Sequence, residues 1–304
     1  MAVGAHAAVD ADRLQPPATP EPAGAIWRGL WRVKWGLGGA IAFLLIVLSA
    51  ILAPVISPYD PLSVDIQHRM APPAWMDGGT PEHLLGTDQV GRDLLSRVIW
   101  GGRVSLVVGA AAVLLSATIG VLFGLSAGYF GGTADWSIMT LINVMLTFPF
   151  VLLALAVIAV LGPSVPNMII VLGATGWPVY ARIMRAETFA LRERDFVVAA
   201  RALGMSHARI IFGQILPNLV SPIVVVATLQ IAQVIILESF LSFLGLGVQP
   251  PTPAWGNMLG EGRVYMLNSW WIAAFPGLAI FITTLVINLM GNGLRDWLDP
   301  HMKL

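Results

Sequence analysis

Six stretches of this chain, near Gly36–Ile56, Val104–Leu125, Ile138–Leu161, Met168–Met184, Leu219–Phe240 and Trp271–Met290, are predominantly apolar. Each is about the 20 residues that a helix needs to cross roughly 30 Å of hydrocarbon. Chain-breaking residues close the first three: Ser57-Pro58-Tyr59-Asp60-Pro61, then Gly128-Tyr129-Phe130-Gly131-Gly132, then Gly162-Pro163-Ser164-Val165-Pro166-Asn167. Lipid offers the backbone no hydrogen-bond partners, so each span must satisfy its own. The expectation is an all-α, polytopic membrane protein with six transmembrane helices.

Composition agrees. The chain is 57% hydrophobic and 11% charged, with a mean hydropathy of +0.78; an ordinary soluble domain is about 25% charged. Net charge is formally zero, which gives no reason to expect a nucleic-acid partner. With no cysteine there is neither a disulfide nor a thiolate site, and the five histidines fall in no metal-binding spacing. No metal centre and no catalytic residue are expected, and no repeat of 20–50 residues is evident.

Orientation follows from Lys and Arg. Six spans place both termini on one face, with the 131–137 and 182–218 connections. That face carries Arg13, Arg28, Arg32, Lys34, Arg182, Arg185, Arg192, Arg194, Arg201, Arg209, Arg295 and Lys303; the other carries Arg69, Arg92, Arg97, Arg103 and Arg263. The positive-inside rule therefore assigns the termini to the cytoplasm. Residues 1–25, Ala/Pro-rich and without apolar periodicity, read as a disordered cytoplasmic tail, leaving 26–304 as the membrane domain. The first span has the length of an anchor and no small-residue cleavage site, so it is expected to remain uncleaved.

The connection from Ser57 to Arg103 contains an amphipathic pattern. Leu94, Leu95, Val98 and Ile99 share one helical face, and Arg92, Asp93, Ser96 and Arg97 the other. It reads as an interfacial helix capped by Asp88, with an Asp93–Arg97 pair at i,i+4. A contact for an extracytoplasmic partner is the sharper alternative.

Residues 185–218 form an Arg-rich polar island patterned for helix. Asp195 stands at an N-cap position, and Phe196, Ala200 and Leu203 then fall on one face. Gly204 stands where a left-handed residue would end that helix, and Ser206 can cap a second short helix to about Gly213. Pro217 follows where span five begins. Two readings of this helix–turn–helix remain open: a docking surface for a soluble protein, or a solvated hairpin whose arginines only obey the positive-inside rule.

Val198-Ala199-Ala200-x-x-x-Gly204, followed by Leu216-Pro217, resembles the EAA loop of bacterial ABC-importer permeases. Three further segments are similar to the C-type permease subunit of dipeptide/oligopeptide importers. They are Gly86-Thr87-Asp88-x-x-Gly91-Arg92-Asp93-x-x-Ser96-Arg97, Leu241 to Gly256 with its Gly245-Leu246-Gly247 and Pro250-Pro251, and Gly291-x-Gly293-Leu294-Arg295-Asp296-x-Leu298-Asp299-Pro300. The resemblance spans residues 27–304. Val198 replaces the motif's Glu, Gln214 an apolar residue, and Asn292 a common Asp. The resemblance implies the type I importer permease fold, with 185–218 as a coupling loop. Asp195, Ala199, Ala200, Arg201, Gly204, Leu216 and Pro217 would dock cytoplasmic ATPases. It also implies a homologous second permease, an extracytoplasmic solute-binding protein, and residence in the bacterial cytoplasmic membrane. A peptide is the expected cargo, although relatives import dipeptides, oligopeptides, nickel chelates or glutathione, and specificity resides largely in the binding protein.

A P-loop needs Gly-Lys-Ser/Thr, but the only lysines are Lys34 after Val33 and Lys303 after Met302. ATP and Mg would therefore belong to partner subunits, and this chain is expected not to be an enzyme. Within the spans, Thr140, Asn143 and Thr147 form one stripe, and Gln230 with Gln233 another. Such groups make interhelical hydrogen bonds or line a substrate path; Asn143, Thr147, Gln230 and Gln233 are the path candidates. Glu238 is the one acidic residue in the fifth span, read as paired or hydrated near its outer end, with a gate as the alternative. Pro149 should kink the third span. Two other function classes stay open: an ion-gradient-driven secondary transporter, for which only Glu238 offers an ionisable group, and a membrane scaffold recruiting a soluble partner.

Overall fold

The structure, a computed structural model, describes residues 24–298. Most of the expected tail lies outside the described residues, as do Asp299, Pro300 and Lys303; Gly24 and Ala25 already belong to the first helix. Regular structure among the described residues is helical, apart from an isolated bridge between Thr87 and Asp93. Helix α1 (Gly24–Ile51) is followed by the short α2 (Ala53–Ile56), the break falling where Pro54 lacks a backbone donor. The bundle continues with α3 (Leu94–Phe130), α4 (Gly132–Thr147), α5 (Phe150–Leu161) and α6 (Val165–Arg192). Short α7 (Asp195–Ala202) and α8 (His207–Ile210) lead into α9 (Leu216–Phe243), α10 (Trp255–Gly262) and α11 (Trp271–Leu298).

Among the described residues, four helical runs are long and apolar enough to cross a membrane: Lys34–Ile51, Leu94–Phe130, His207–Phe243 and Trp271–Leu298. Helices α4 and α5 make a fifth if their 84° bend is counted within one span. Pro149 causes that bend, because it has no N–H and holds Phe148 in an extended conformation at ψ 128°. The remaining expected span, the fourth (Met168–Met184), corresponds to α6. At 28 residues it is about 42 Å long, enough to cross, but it is not apolar enough by composition. Its centre holds Gly173, Thr175, Gly176, Trp177 and Pro178, and Arg182, Arg185 and Glu187 follow. Much of that composition faces protein, since Gly173, Trp177, Tyr180, Ala181 and Met184 are buried.

Small residues set the helix contacts. On α3, Ser116, Gly120, Gly124 and Gly128 recur every four residues, all buried. They receive α6 so closely that a Cβ on Gly124 would stand 2.6 Å from Met184 Cβ and 2.8 Å from the Ala181 carbonyl oxygen. Ser116 Oγ donates to the Gly173 carbonyl at 2.8 Å within the same seam. Helices α1 and α11 meet likewise at Gly36 and Gly293, where a Cβ on Gly36 would lie 2.5 Å from Gly293 Cα. Lipid tails are as apolar as leucine, so membrane helices associate through such close backbone packing rather than through hydrophobic burial.

The segment preceding α3 corrects the interfacial-helix expectation. Helix α3 starts at Leu94 and runs unbroken to Phe130, capped by Asp93, whose carboxylate accepts from Ser96 N at 2.8 Å. Asp88 does not cap it, and Arg97 does not pair with Asp93. Instead the buried Asp88 carboxylate accepts from Val90 N (2.9 Å), Arg92 N (3.0 Å), Arg92 Nε (2.6 Å) and Arg97 Nη1. Glu261 of α10 adds contacts of 3.3 Å to both arginines. Arg97 is only 1% exposed, so the polar face expected on an interfacial helix is an internal ion cluster. It ties the 57–93 connection to α10. Trp255 fixes α10 against the start of α3, resting on Gly101 and Gly102 and donating to the Val98 carbonyl at 2.8 Å.

Candidate functional site

The polar island builds the end of the bundle opposite the 57–93 connection. Its first residues, 185–192, are the last turns of α6 rather than a separate loop. Helix α7 follows, with Arg194 in the N-cap position at ψ 148°, so Asp195 is its first helical residue rather than its cap. A carboxylate in that first turn still complements the helix dipole.

Helix α7 ends as the glycine requires. Gly204 has φ +75°, its N–H bonds the Arg201 carbonyl (3.0 Å), and Met205 N bonds the Ala200 carbonyl (3.1 Å). These are the two bonds of a Schellman turn, which satisfy carbonyls the helix would otherwise leave unpaired. The buried face of α7 is Val197 and Ala200, not Phe196, Ala200 and Leu203 as its pattern suggested. Val197 and Ala200 pack with Leu125 and Tyr129 of α3, Met184 of α6, and Ile210, Ile211 and Ile215 beyond the turn. Phe196, Val198 and Leu203 are exposed, Leu203 by 83%.

The second helix also departs from expectation. It does not stop near Gly213; α8 passes through one π-turn, Ile211–Ile215, directly into α9. Pro217 withholds its N–H at this junction, and Asn218 Nδ2 supplies a donor to the Gln214 carbonyl at 2.6 Å. Ser206 occupies the N-cap of α8 without a side-chain cap bond.

Tyr129 at the end of α3 anchors the assembly. Its hydroxyl lies 2.9 Å from His207 Nδ1, and the Arg201 guanidinium sits 5.6 Å above its ring. Arg192 Nη1 donates to the Gly128 and Tyr129 carbonyls at 3.4 and 3.3 Å, placing a cation on the C-terminal end of α3. Of the expected docking residues, Asp195, Ala199, Arg201, Gly204 and Pro217 are exposed, Leu216 is half-buried, and Ala200 is buried. Ala200 therefore supports the surface rather than forming it. Exposed Phe196, Val198 and Leu203 were not among the expected contacts; their signal was the apolar residues left over once Val197 and Ala200 face inward.

The polar groups within the spans divide. Thr140 and Thr147 donate to carbonyls four residues earlier on their own helix, both at 2.8 Å. Asn143 accepts from Arg182 Nη2 at 3.0 Å. Gln233 is exposed and Gln230 half-buried, and among the described residues no hydrogen bond joins them to the α4 stripe. Glu238 is fully buried between α9 and α3, so it is not hydrated at an interface. It accepts from Ser242 Oγ (2.8 Å), Ser105 Oγ (3.0 Å) and Ser239 Oγ (3.3 Å). Replacing it by Leu is expected to destabilise the protein by about 1–3 kcal/mol, the cost of unsatisfied buried hydroxyls. Glu238→Gln keeps one acceptor oxygen and places a donor amide on the other side, toward which a serine hydroxyl can turn to accept, and should melt close to the parent protein. Equal melting of the Leu variant and the parent would refute a structural role for this cluster.

Residues 120–304 match the family described as binding-protein-dependent transport system inner membrane component. The chain belongs to that family. Residues 22–73 match the N-terminal TM domain of oligopeptide transport permease C. The chain is 44% identical to the di/tripeptide transport system permease protein DppC of Pseudomonas aeruginosa, covering 93% of this chain and 94% of that one. It is 43% identical to the dipeptide transport system permease protein DppC of Escherichia coli K12, covering 95% and 97%. Among solved structures, a chain of the MetNI methionine ABC transporter in an inward-facing conformation aligns with a TM-score of 0.54 at 17% identity, covering 67% of this chain and 96% of that chain. That similarity carries the fold alone, the fold of an ABC-importer permease. The protein is thus a multi-pass inner-membrane transport subunit.

Proposed function

We infer that this chain is a permease subunit of an ABC importer for short peptides. Its termini and the α7–α8 turn would face the cytoplasm, and it would work with a homologous second permease and an extracytoplasmic peptide-binding protein. ATP and Mg would act on separate ATPase subunits, since neither lysine stands in a P-loop. The observation that carries the docking role is α7 itself. It presents exposed Phe196, Val198 and Leu203 beside a Schellman turn, while Val197 and Ala200 hold its other face to α3 and α6. An exposed apolar edge on a braced element suits a protein partner. ATP-driven closure of the ATPases would move α7, and with it the ends of α6 and α9, switching the pathway between inward- and outward-facing states. The dipeptide-permease relatives support peptides as the cargo.

The test is Gly204→Val in a reconstituted complex with ATPases, partner permease and binding protein. A Cβ at Gly204 meets nothing within 4 Å, so the change acts through φ +75° and not through a clash. A β-branched residue is strained there by about 1–2 kcal/mol or more, and α7 should leave its bound orientation. Membrane insertion is expected to be normal, while ATP-driven peptide uptake falls about tenfold, the equivalent of 1.4 kcal/mol of coupling. Gly204→Asn, which tolerates the left-handed region, should retain most uptake. A Val variant that binds the ATPases and transports like the parent overturns the docking role. Peptide uptake that persists without ATP under an imposed ion gradient overturns the ABC reading.

A further inference from the structure

Helix α4 is attached to the bundle in an unusual way. At its start Gly131 (φ +66°) and Gly132 (φ +52°) form a two-glycine hinge after α3. At its end the Phe148–Pro149 break turns the chain by 84° into α5. Between these two hinges only Ile142 of α4 is buried, against Trp177 and Ala181 of α6. Trp136, Val144, Leu146 and Phe148 are all at least half exposed. Two polar links join α4 to α6. Arg185 grips Asp135 bidentately, Nη2 to Oδ2 at 2.6 Å and Nε to Oδ1, and Arg182 donates to Asn143. Arg185 stands two turns before the end of α6, and Glu193 and Arg194 are all that separate that end from α7.

We propose that the Asp135–Arg185 pair is a positioning contact that transmits movement of the α7 turn, through α6, to the hinged α4 and its bend into α5. The inference rests on the importer reading given above. Helix α6 carries displacement as a rod, because it is continuous from Val165 to Arg192 and packed along the glycine seam of α3. The backbone link from α3 to α4 runs through Gly131 and Gly132, so it does not by itself fix the direction of α4. A bidentate guanidinium–carboxylate pair is directional and fixes position as well as distance, which the apolar contacts of Ile138, Met139, Ile142 and Met145 do not. Re-aiming α4 moves the Asn143 and Thr147 face and the bend at Pro149 together.

The experiment measures peptide carried per ATP hydrolysed in the reconstituted complex. Asp135→Asn removes the charge at constant shape and should lower that ratio about fivefold or more, the lower end of ordinary coupling energies. Asp135→Glu should restore part of it, and the swap of Asp135→Arg with Arg185→Asp should restore more than either single change. A merely structural loss would lower uptake and ATP turnover together and leave the ratio unchanged. An unchanged ratio in Asp135→Asn, or a lowered one that neither Asp135→Glu nor the swap raises, overturns the proposal. Absence of ATP-dependent uptake by the parent complex would instead overturn the importer reading, and this inference with it.

Discussion

Gly124→Val is expected to abolish accumulation of the folded protein in the membrane. Gly124 lies mid-way along the α3–α6 seam, with atoms of α6 already where a side chain would go: Met184 Cβ at 2.6 Å, the Ala181 oxygen at 2.8 Å and Arg185 N at 3.1 Å from the added Cβ. Two of these three are backbone atoms, so no rotamer change relieves the overlap. The helices would have to separate, and the same movement would open the contacts at Gly120 and Gly128. Overpacking a well-packed site costs about 1–3 kcal/mol, and here the loss extends along the seam that positions α6. Gly124→Ala introduces the same Cβ and should be damaging as well. Gly38→Val is the matching control, because a Cβ there meets nothing within 4 Å. The readouts are the amount of membrane-inserted protein and its thermal aggregation midpoint in detergent. If Gly124→Val and Gly38→Val behave alike on both, the close-packed seam does not hold the fold.

Asp88→Ala is the second large effect. The Asp88 carboxylate is fully buried and accepts from two backbone amides and two guanidinium groups. Without it Arg97, whose Nε and Nη2 already lack partners among the described residues, keeps of these only Glu261 at 3.3 Å. Removing one member of a buried ion cluster costs about 3–5 kcal/mol, mostly because the remaining charge is stranded in a low-dielectric site. The expected result is a lower melting point together with rapid proteolysis of the 57–93 connection, which this cluster ties to α10. Asp88→Ala combined with Arg97→Met removes the stranded charge with its partner, and should be more stable than Asp88→Ala alone. Equal stability of the two variants would mean that desolvated charge is not what the cluster balances.

How far the fold was legible depended on how local each signal was. Pro149 broke α4 from α5 and Gly204 ended α7, because a missing donor and a positive φ act on the residues beside them. The buried face of α7 was misread. Its pattern allowed either Phe196 or Val197 to face inward, and only the position of Tyr129 and Met184 decided for Val197. Arg97 was read as a partner of Asp93, four residues away, whereas one of its partners, Glu261, is 164 residues away. The four-residue spacing of Ser116, Gly120, Gly124 and Gly128 carried no expectation at all, because the helix it receives is set by packing and not by the spacing.

The amino-acid sequence alone determined that this chain is an all-helical membrane protein, and that its helices break at Pro149 and Gly204. Those properties follow from the solvation of short segments and from the backbone limits of proline and glycine, which need no distant partner. It also carried the motifs that mark the family. Tertiary structure decided which helix fills the glycine seam, that Glu238 is enclosed by three serines, and that Arg185 holds α4 to α6. In a bundle where lipid and side chains are equally apolar, hydropathy cannot choose between neighbours. Close backbone approach and buried polar partners make that choice, and both are properties of two segments brought together.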